Sequence, residues 1–305
     1  MLVSDAQPVI FVGGLGRSGT TLLERLLGEL PGVAPLGEVV HLWRRGVQAD
    51  EPCGCRQSFS QCPFWHKVGE RAFGGWRAAK AERLQELRGK VDRTRRVPVF
   101  AFGLISREAL LTEYVASYYR IYAAAAEIVN GRVVVDSSKH ASLAYCLSAI
   151  MDLQVVHVVR DPRAVAASWR KKVARPEDGR PMARWTPART AVHWVVQNLA
   201  YEVLRVKGVP VLRVHYEDLV GEPTRTLRRL AERLGLPCGE PDFAFLADRE
   251  ARLGVAHTVS GNPMRFAVGR IRFRENHARL PFPHRWAVTL ITLPFLLRYG
   301  YRLTY

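Results

Sequence analysis

Apolar and polar positions follow two alternating patterns along this chain. Pro8-Val9-Ile10-Phe11-Val12, closed by Gly13-Gly14, is a short run rich in β-branched residues, as expected of a parallel strand buried on both faces. Helical spacing follows, with Leu22, Leu23, Leu26, Leu27 and Leu30 on one side and Pro31-Gly32 as the stop. Similar runs return at residues 132–136, 154–159 and 209–214, separated by helical sequence. Alternation of this kind predicts an α/β fold with a central parallel sheet flanked by helices. Ligands of such sheets bind beyond the carboxyl ends of the strands, so the residues after Val12, Val135, Val159 and Val214 are where chemistry is expected.

Between about residues 44 and 131 the pattern changes to a Cys/Gly/Pro-containing segment followed by helical spacing at 82–87 and 107–129. This reads as a helical insertion after the first βα unit, a usual place for substrate contacts, within a single domain over residues 1–305. A packing helix is expected at about 285–300. Its apolar stretch, 286–297, contains a proline and falls short of the roughly 20 residues that span a bilayer, leaving membrane-surface contact as a minor alternative. With no secretion-signal pattern at the N-terminus, a soluble cytoplasmic protein is expected.

Of 305 residues 48% are hydrophobic and 24% charged, which permits a sizeable core and excludes the disordered class. Lys and Arg number 45 against 28 Asp and Glu, a formal charge of +17 that calls for an anionic partner. Seven of these are lysines, so 38 are arginines, spread over the chain rather than gathered in a basic arm; this argues against nucleic acid as the partner. Five cysteines are too few for a disulfide framework. Cys53, Cys55 and Cys62, with His66 nearby, have an uncommon spacing for zinc, so packing or a local disulfide is expected and no metal.

The loop Gly13-Gly14-Leu15-Gly16-Arg17-Ser18-Gly19-Thr20-Thr21 joins strand to helix. Such loops turn successive N–H groups inward and hold phosphate oxygens. Laid on the nucleoside-triphosphate template G-x-x-x-x-G-K-S/T, Gly14 and Gly19 match the glycines, but Thr20 stands where the lysine belongs. Arg17 supplies a cation on the loop instead, and a plain glycine turn is the alternative reading. After the run 154–159, Arg160-Asp161-Pro162-Arg163 opens a helix that carries Ser168 two turns in. Arg160 and Ser168 make either a second anion site or a structural Arg160–Asp161 pair with an incidental serine.

Together these loops resemble the nucleotide-binding elements of the sulfotransferase family, which use 3′-phosphoadenosine 5′-phosphosulfate (PAPS). The family pattern is K/R-S-G-T-T after the first strand, gripping the phosphosulfate, then R-D/N-P-R with a serine eight positions after the arginine, gripping the 3′-phosphate. Arg17-Ser18-Gly19-Thr20-Thr21 and the pair Arg160 and Ser168 fit it, as do Tyr216-Glu217-Asp218-Leu219, Pro223 and Leu234-Gly235-Leu236-Pro237. The resemblance implies a P-loop-like fold, PAPS as co-substrate with no metal required, and Gly16, Arg17, Ser18, Gly19, Thr20, Thr21, Arg160 and Ser168 as its binding residues. It also implies Arg265, in a turn-rich loop shaped by Gly261 and Asn262, as a cover for the 3′-phosphate.

For catalysis the resemblance points to Arg17 as the cation near the bridging oxygen and to Glu38 as the base. Burial beside Leu36 and Trp43 would raise the pKa of Glu38, with His41 as the rival base. Lys139, after the second predicted strand, is a candidate second cation, and Ser137 or Ser138 a cap for the following helix. His140 reads as structural; Trp194 and Asn198 lie either near the substrate or in the core. The expected acceptor is a hydroxyl, less readily an amine, of a carbohydrate or other small molecule. A P-loop kinase is disfavoured by Thr20, and a non-catalytic RNA-binding protein rests on charge alone.

Overall fold

A computed structural model describes residues 8–103, 108–131, 133–174, 179–273 and 280–303; Arg107 and Arg132, which the pattern put at the starts of a helix and a strand, lie outside the described residues. The central sheet has five parallel strands: β1 Val9–Gly13, β2 Val33–Pro35, β3 Val133–Lys139, β4 Gln154–Val159 and β5 Val211–His215, ordered β2-β3-β1-β4-β5. Helix α1, Thr20–Leu27, joins β1 to β2. The insertion carries α2 Pro63–Phe73, α3 Ala81–Val91, α4 Val97–Ala101 and α5 Glu108–Ile128. Beyond β3 come α6 Ala141–Ser148, α7 Pro162–Arg170, α8 Pro187–Val206, α9 Tyr216–Gly221, α10 Pro223–Arg233 and α11 Phe282–Arg298.

Side chains along β1 alternate between two cores, as the pleat requires. Val9 and Phe11 join Val134, Val155 and the apolar faces of α2, α3, α5 and α6; Ile10 and Val12 join Leu22, Leu23, Leu26 and Leu27 of α1 and Leu227 and Leu230 of α10. Burying a leucine of this kind contributes roughly 1.5–3 kcal/mol. The predicted C-terminal helix is α11, which buries Val288, Thr292 and Leu296 and packs on α7 and α8. Among the described residues no helix is long and apolar enough to cross a membrane.

Two elements depart from the expected pattern. β2 has only three residues and follows the helix-stopping Pro31-Gly32, so no strand signal develops there. A three-stranded antiparallel sheet, β6 Leu246–Ala247, β7 Glu250–Leu253 and β8 Gly269–Arg272, is built of segments too short and too charged to show alternation. The chain lays β2 and β3 on one side of β1 and then crosses to β4 and β5 on the other. This reversal opens a crevice at the carboxyl ends of β1 and β4.

Candidate active site

Gly14 (φ 141°) and Gly19 (φ 97°) shape the loop leaving β1. A Cβ on Gly14 would lie 2.5 Å from the Val158 carbonyl, and one on Gly19 2.3 Å from the Tyr216 ring. Only glycine lets the loop pass between β4 and Tyr216. Gly19 is the N-cap of α1; no side chain caps the helix and its first turn holds no acid. The opening amides and the positive end of the helix dipole are therefore available to an anion.

The loop forms one wall of a cleft of about 730 Å³. Of the residues singled out from the sequence, Gly16, Arg17, Gly19, Thr20, Thr21, Glu38, Lys139, Arg160 and Ser168 line it. Ser18 sits beneath the loop, its buried Oγ without a partner. Burial lowers the pKa of Arg17 and the Glu38 charge acts the other way; its Nη2 lies 3.3 Å from Met182 Sδ and its guanidinium 5.7 Å from the Trp169 ring centre. A second hollow of about 610 Å³, lined from β5, α9 and α10, collects none of these residues.

Arg160 leaves β4 with Nη1 donating to the Arg17 carbonyl (2.9 Å) and its guanidinium stacked 4.1 Å from the Tyr216 ring centre. Its buried Nε has no partner among the described residues, so donor capacity remains. Asp161 caps α7 and pairs with Arg163 at 2.6 Å. Ser168 reaches the cleft from the second turn of α7.

Glu38 stands across the cleft, its carboxylate paired with the Lys139 ammonium and 3.5 Å from His41 Nε2. Burial alone would raise its pKa, as the sequence reading expected. The charge of Lys139, that of His41 and the Lys139 hydrogen bond outweigh burial and hold it at about 2. His41, with its pKa lowered to about 3 chiefly by burial, does not line the cleft, whereas His140 does.

A profile of the sulfotransferase family matches residues 8–240. The chain belongs to the sulfotransferase family. Two solved structures share the fold of this sulfotransferase. The sulfotransferase domain from the Synechococcus PCC 7002 olefin synthase is 21% identical with a TM-score of 0.53, over 100% of this chain and 98% of that one. The sulfotransferase domain from the curacin biosynthetic pathway is 17% identical with a TM-score of 0.53, over 99% and 100%. No curated protein matches the chain.

Beneath the cleft of this sulfotransferase lie two buried carboxyls that sequence reasoning missed. Glu24 of α1 accepts hydrogen bonds from Gly37 N (2.5 Å) and Ser137 Oγ (2.7 Å), and burial pushes its pKa up to about 8. Asp136, raised by burial to about 6, accepts from Tyr122 Oη (2.6 Å) and from Ser138 N and Oγ; Ser138 Oγ in turn accepts from Val40 N. Ser137 and Ser138 thus brace the Glu38 segment and do not cap α6, whose N-cap is His140. Every residue of α1 is buried, Glu24 among them, which the leucine spacing alone does not reveal.

Arg265 is fully buried outside the cleft, its Nη1 on the Thr258 carbonyl (3.1 Å) and its guanidinium 4.1 Å from the Phe266 ring centre. From that loop Gly261, Asn262 and Met264 line the cleft instead. Trp194 and Asn198 are core residues; Trp194 Nε1 donates to the Arg160 carbonyl (3.0 Å) and so fixes the end of β4. The same helix, α8, sends His193 and Gln197 to the cleft, and the stacked rings of Trp169 and Trp185, 4.0 Å apart, complete that side. Of the two alternatives expected for the cysteines, packing or a local disulfide, the disulfide is not formed: Cys53, Cys55 and Cys62 are free thiols, and His66 is exposed and outside their cluster.

Proposed function

We propose that this sulfotransferase takes its sulfuryl group from PAPS and passes it to a hydroxyl of a carbohydrate or other small-molecule acceptor. The observation that carries this reading is the presence of two anion sites in one cleft. An uncapped helix N-terminus with Arg17 forms one, and Arg160 with Ser168 forms the other. That arrangement suits a donor with a phosphosulfate at one end of its ribose and a phosphate at the other. The unpartnered Nε of Arg160 and the glycine-lined wall fit such a ligand.

When bound, PAPS supplies a sulfuryl group joined to a good leaving phosphate. Glu38 takes the acceptor's hydroxyl proton as that oxygen bonds to sulfur, and the bond from sulfur to the bridging oxygen breaks, releasing adenosine 3′,5′-bisphosphate. Arg17 and Lys139 offset charge on the sulfuryl oxygens and the leaving phosphate, so orientation and fixed charge provide most of the rate, as in phosphoryl transfer. At a pKa of about 2 Glu38 is a weak base while Lys139 holds it. An anion beside Lys139 draws on the same ammonium, loosens the pair and raises the carboxylate's basicity where the proton must be taken.

A kinase reading is less well supported. Thr20 stands at the lysine position, and Glu38, already paired, is the only carboxylate among the described residues that line the cleft. Glu38→Gln is expected to bind adenosine 3′,5′-bisphosphate as tightly as the unaltered protein and to lose turnover. Retained turnover would refute the base role.

A further inference from the structure

We propose that Cys53, Cys55, Cys62 and His257 bind one zinc ion that pins the loop carrying His257 onto the start of the insertion. The four ligand atoms lie within 4.8 Å of one another. Cys62 Sγ is 3.6 Å from Cys53 Sγ, 3.7 Å from Cys55 Sγ and 3.2 Å from His257 Nδ1, while Cys53 Sγ is 4.0 Å from the same nitrogen. A tetrahedral zinc with Zn–S of about 2.3 Å and Zn–N of about 2.0 Å has S···S edges of roughly 3.8 Å and S···N edges of roughly 3.5 Å. The four separations given lie within about 0.5 Å of those edges, and the two others do not exceed 4.8 Å. They are far from the roughly 2.05 Å of a disulfide, which would also leave the third thiol and the imidazole without purpose.

Local structure orients each ligand. Cys53 and Cys55 flank a tight turn in which Arg56 N donates to the Cys53 carbonyl (2.8 Å) and Cys53 N to the Gln57 carbonyl (2.8 Å), so both sulfurs come to one side. Gly54, between them, donates to the Thr258 carbonyl (2.9 Å), and a Cβ there would lie 2.4 Å from the Ala256 carbonyl. Cys62 is the N-cap of α2 and offers no side-chain hydrogen bond to the helix. Phe64, the second residue of α2, stacks on the His257 ring at 5.3 Å and 18°, which holds Nδ1 toward the sulfurs. Three thiolates and one imidazole with every position filled by protein are the donor set of a closed structural zinc site.

His257 lies 195 residues beyond Cys62, and two residues further on Val259 pairs with the active-site segment. Val259 N donates to the Leu36 carbonyl (2.8 Å) and Glu38 N to the Val259 carbonyl (2.9 Å). The ion therefore ties the insertion, the closing loop and the backbone of Glu38 into one unit without touching the cleft. Because ligands from distant parts of the chain meet only in the folded state, its binding energy adds to stability.

Full-length protein purified with reductant and without added metal, then passed through metal-free buffer, is expected to retain one zinc per chain by elemental mass spectrometry. After chelation, cobalt(II) alone should restore thiolate charge-transfer absorption and the strong visible bands of tetrahedral coordination, and zinc should displace them. Cys55→Ser, at the half-buried edge of the cluster, should lower zinc retention and weaken the cobalt spectrum while circular dichroism stays unchanged. Metal content near zero with no cobalt spectrum would overturn the proposal, as would an iron–sulfur chromophore or a disulfide among these cysteines in thiol-blocked peptide maps. The unaltered protein's metal content decides the matter even if a variant fails to fold.

Discussion

Lys139 ends β3 in a left-handed backbone conformation (φ 70°) and from there pairs its ammonium with the Glu38 carboxylate. A lysine in that conformation carries a backbone cost of about 1 kcal/mol. Its carbonyl accepts from Gly14 N (3.3 Å), Gln197 Nε2 (2.8 Å) and Tyr201 Oη (2.8 Å), which holds it there. The loop after β1, α8 and Glu38 are thus joined through one residue. Lys139→Met removes the largest charge opposing burial at Glu38 together with its hydrogen bond, so the Glu38 pKa should rise from about 2 toward or beyond its ordinary value of 4.5. The acid limb of kcat/KM should move to higher pH, and kcat should fall by roughly 100-fold or more as a cation on the sulfuryl group is lost. An unshifted limb in the pH–rate profile would contradict the pairing.

Glu24 gives the stability a pH dependence of defined sign. Its folded pKa of about 8 exceeds its ordinary value of 4.5, so the folded state holds the extra proton between those values. This contribution is complete below about pH 4.5 and is lost as pH rises through about 8, on the order of a few kcal/mol. Glu24→Gln should flatten that decline in urea titrations between pH 5 and 9, taken as roughly the two ends of the window. Parallel curves for the two proteins would show that Glu24 does not titrate across it.

Gly37 has φ 84°, and a Cβ there would lie 2.3 Å from the Val259 carbonyl, against which Glu38 N is bonded. Gly74 has φ 70° with nothing within 4 Å. Gly74→Ala should cost about 1 kcal/mol from conformation alone, whereas Gly37→Ala should cost roughly twice that or more and also reduce turnover. Thermal unfolding of the two variants side by side, with activity, checks this.

Arg265 and Arg160 should separate by assay. Arg265, fully buried on Thr258 and Phe266, is a packing residue, so Arg265→Ala should lower the melting temperature, by about 2 kcal/mol of stability, and leave nucleotide affinity nearly intact. Arg160→Ala should do the reverse. Equal loss of affinity in both would restore Arg265 to the 3′-phosphate.

Strands β1, β3 and β4 were legible because each carries a buried run of β-branched residues, β5 at the sheet edge because Val211, Leu212 and Val214 keep an apolar run around the exposed Arg213, and the loops after β1 and β4 because their motifs are local. What escaped depends on distance along the chain. His257 joins cysteines about 200 positions earlier, so spacing near Cys62 suggested His66 instead. The Glu38 pKa was misjudged because its neighbour Lys139 comes from the end of β3, 101 residues away, while burial was readable from Leu36 and Trp43. Arg265 lies in a loop that reaches the cleft, but one loop residue is not distinguished from the next without coordinates; Gly261, Asn262 and Met264 line it.

On the proposed function, the two anion sites of this cleft together hold a bisphosphorylated adenosine. Isothermal titration calorimetry with adenosine 3′,5′-bisphosphate in magnesium-free buffer tests it most directly. Micromolar binding of one ligand per chain that disappears in Arg160→Ala is the predicted result. No binding of the bisphosphate, with magnesium-dependent binding of ATP in its place, would contradict it.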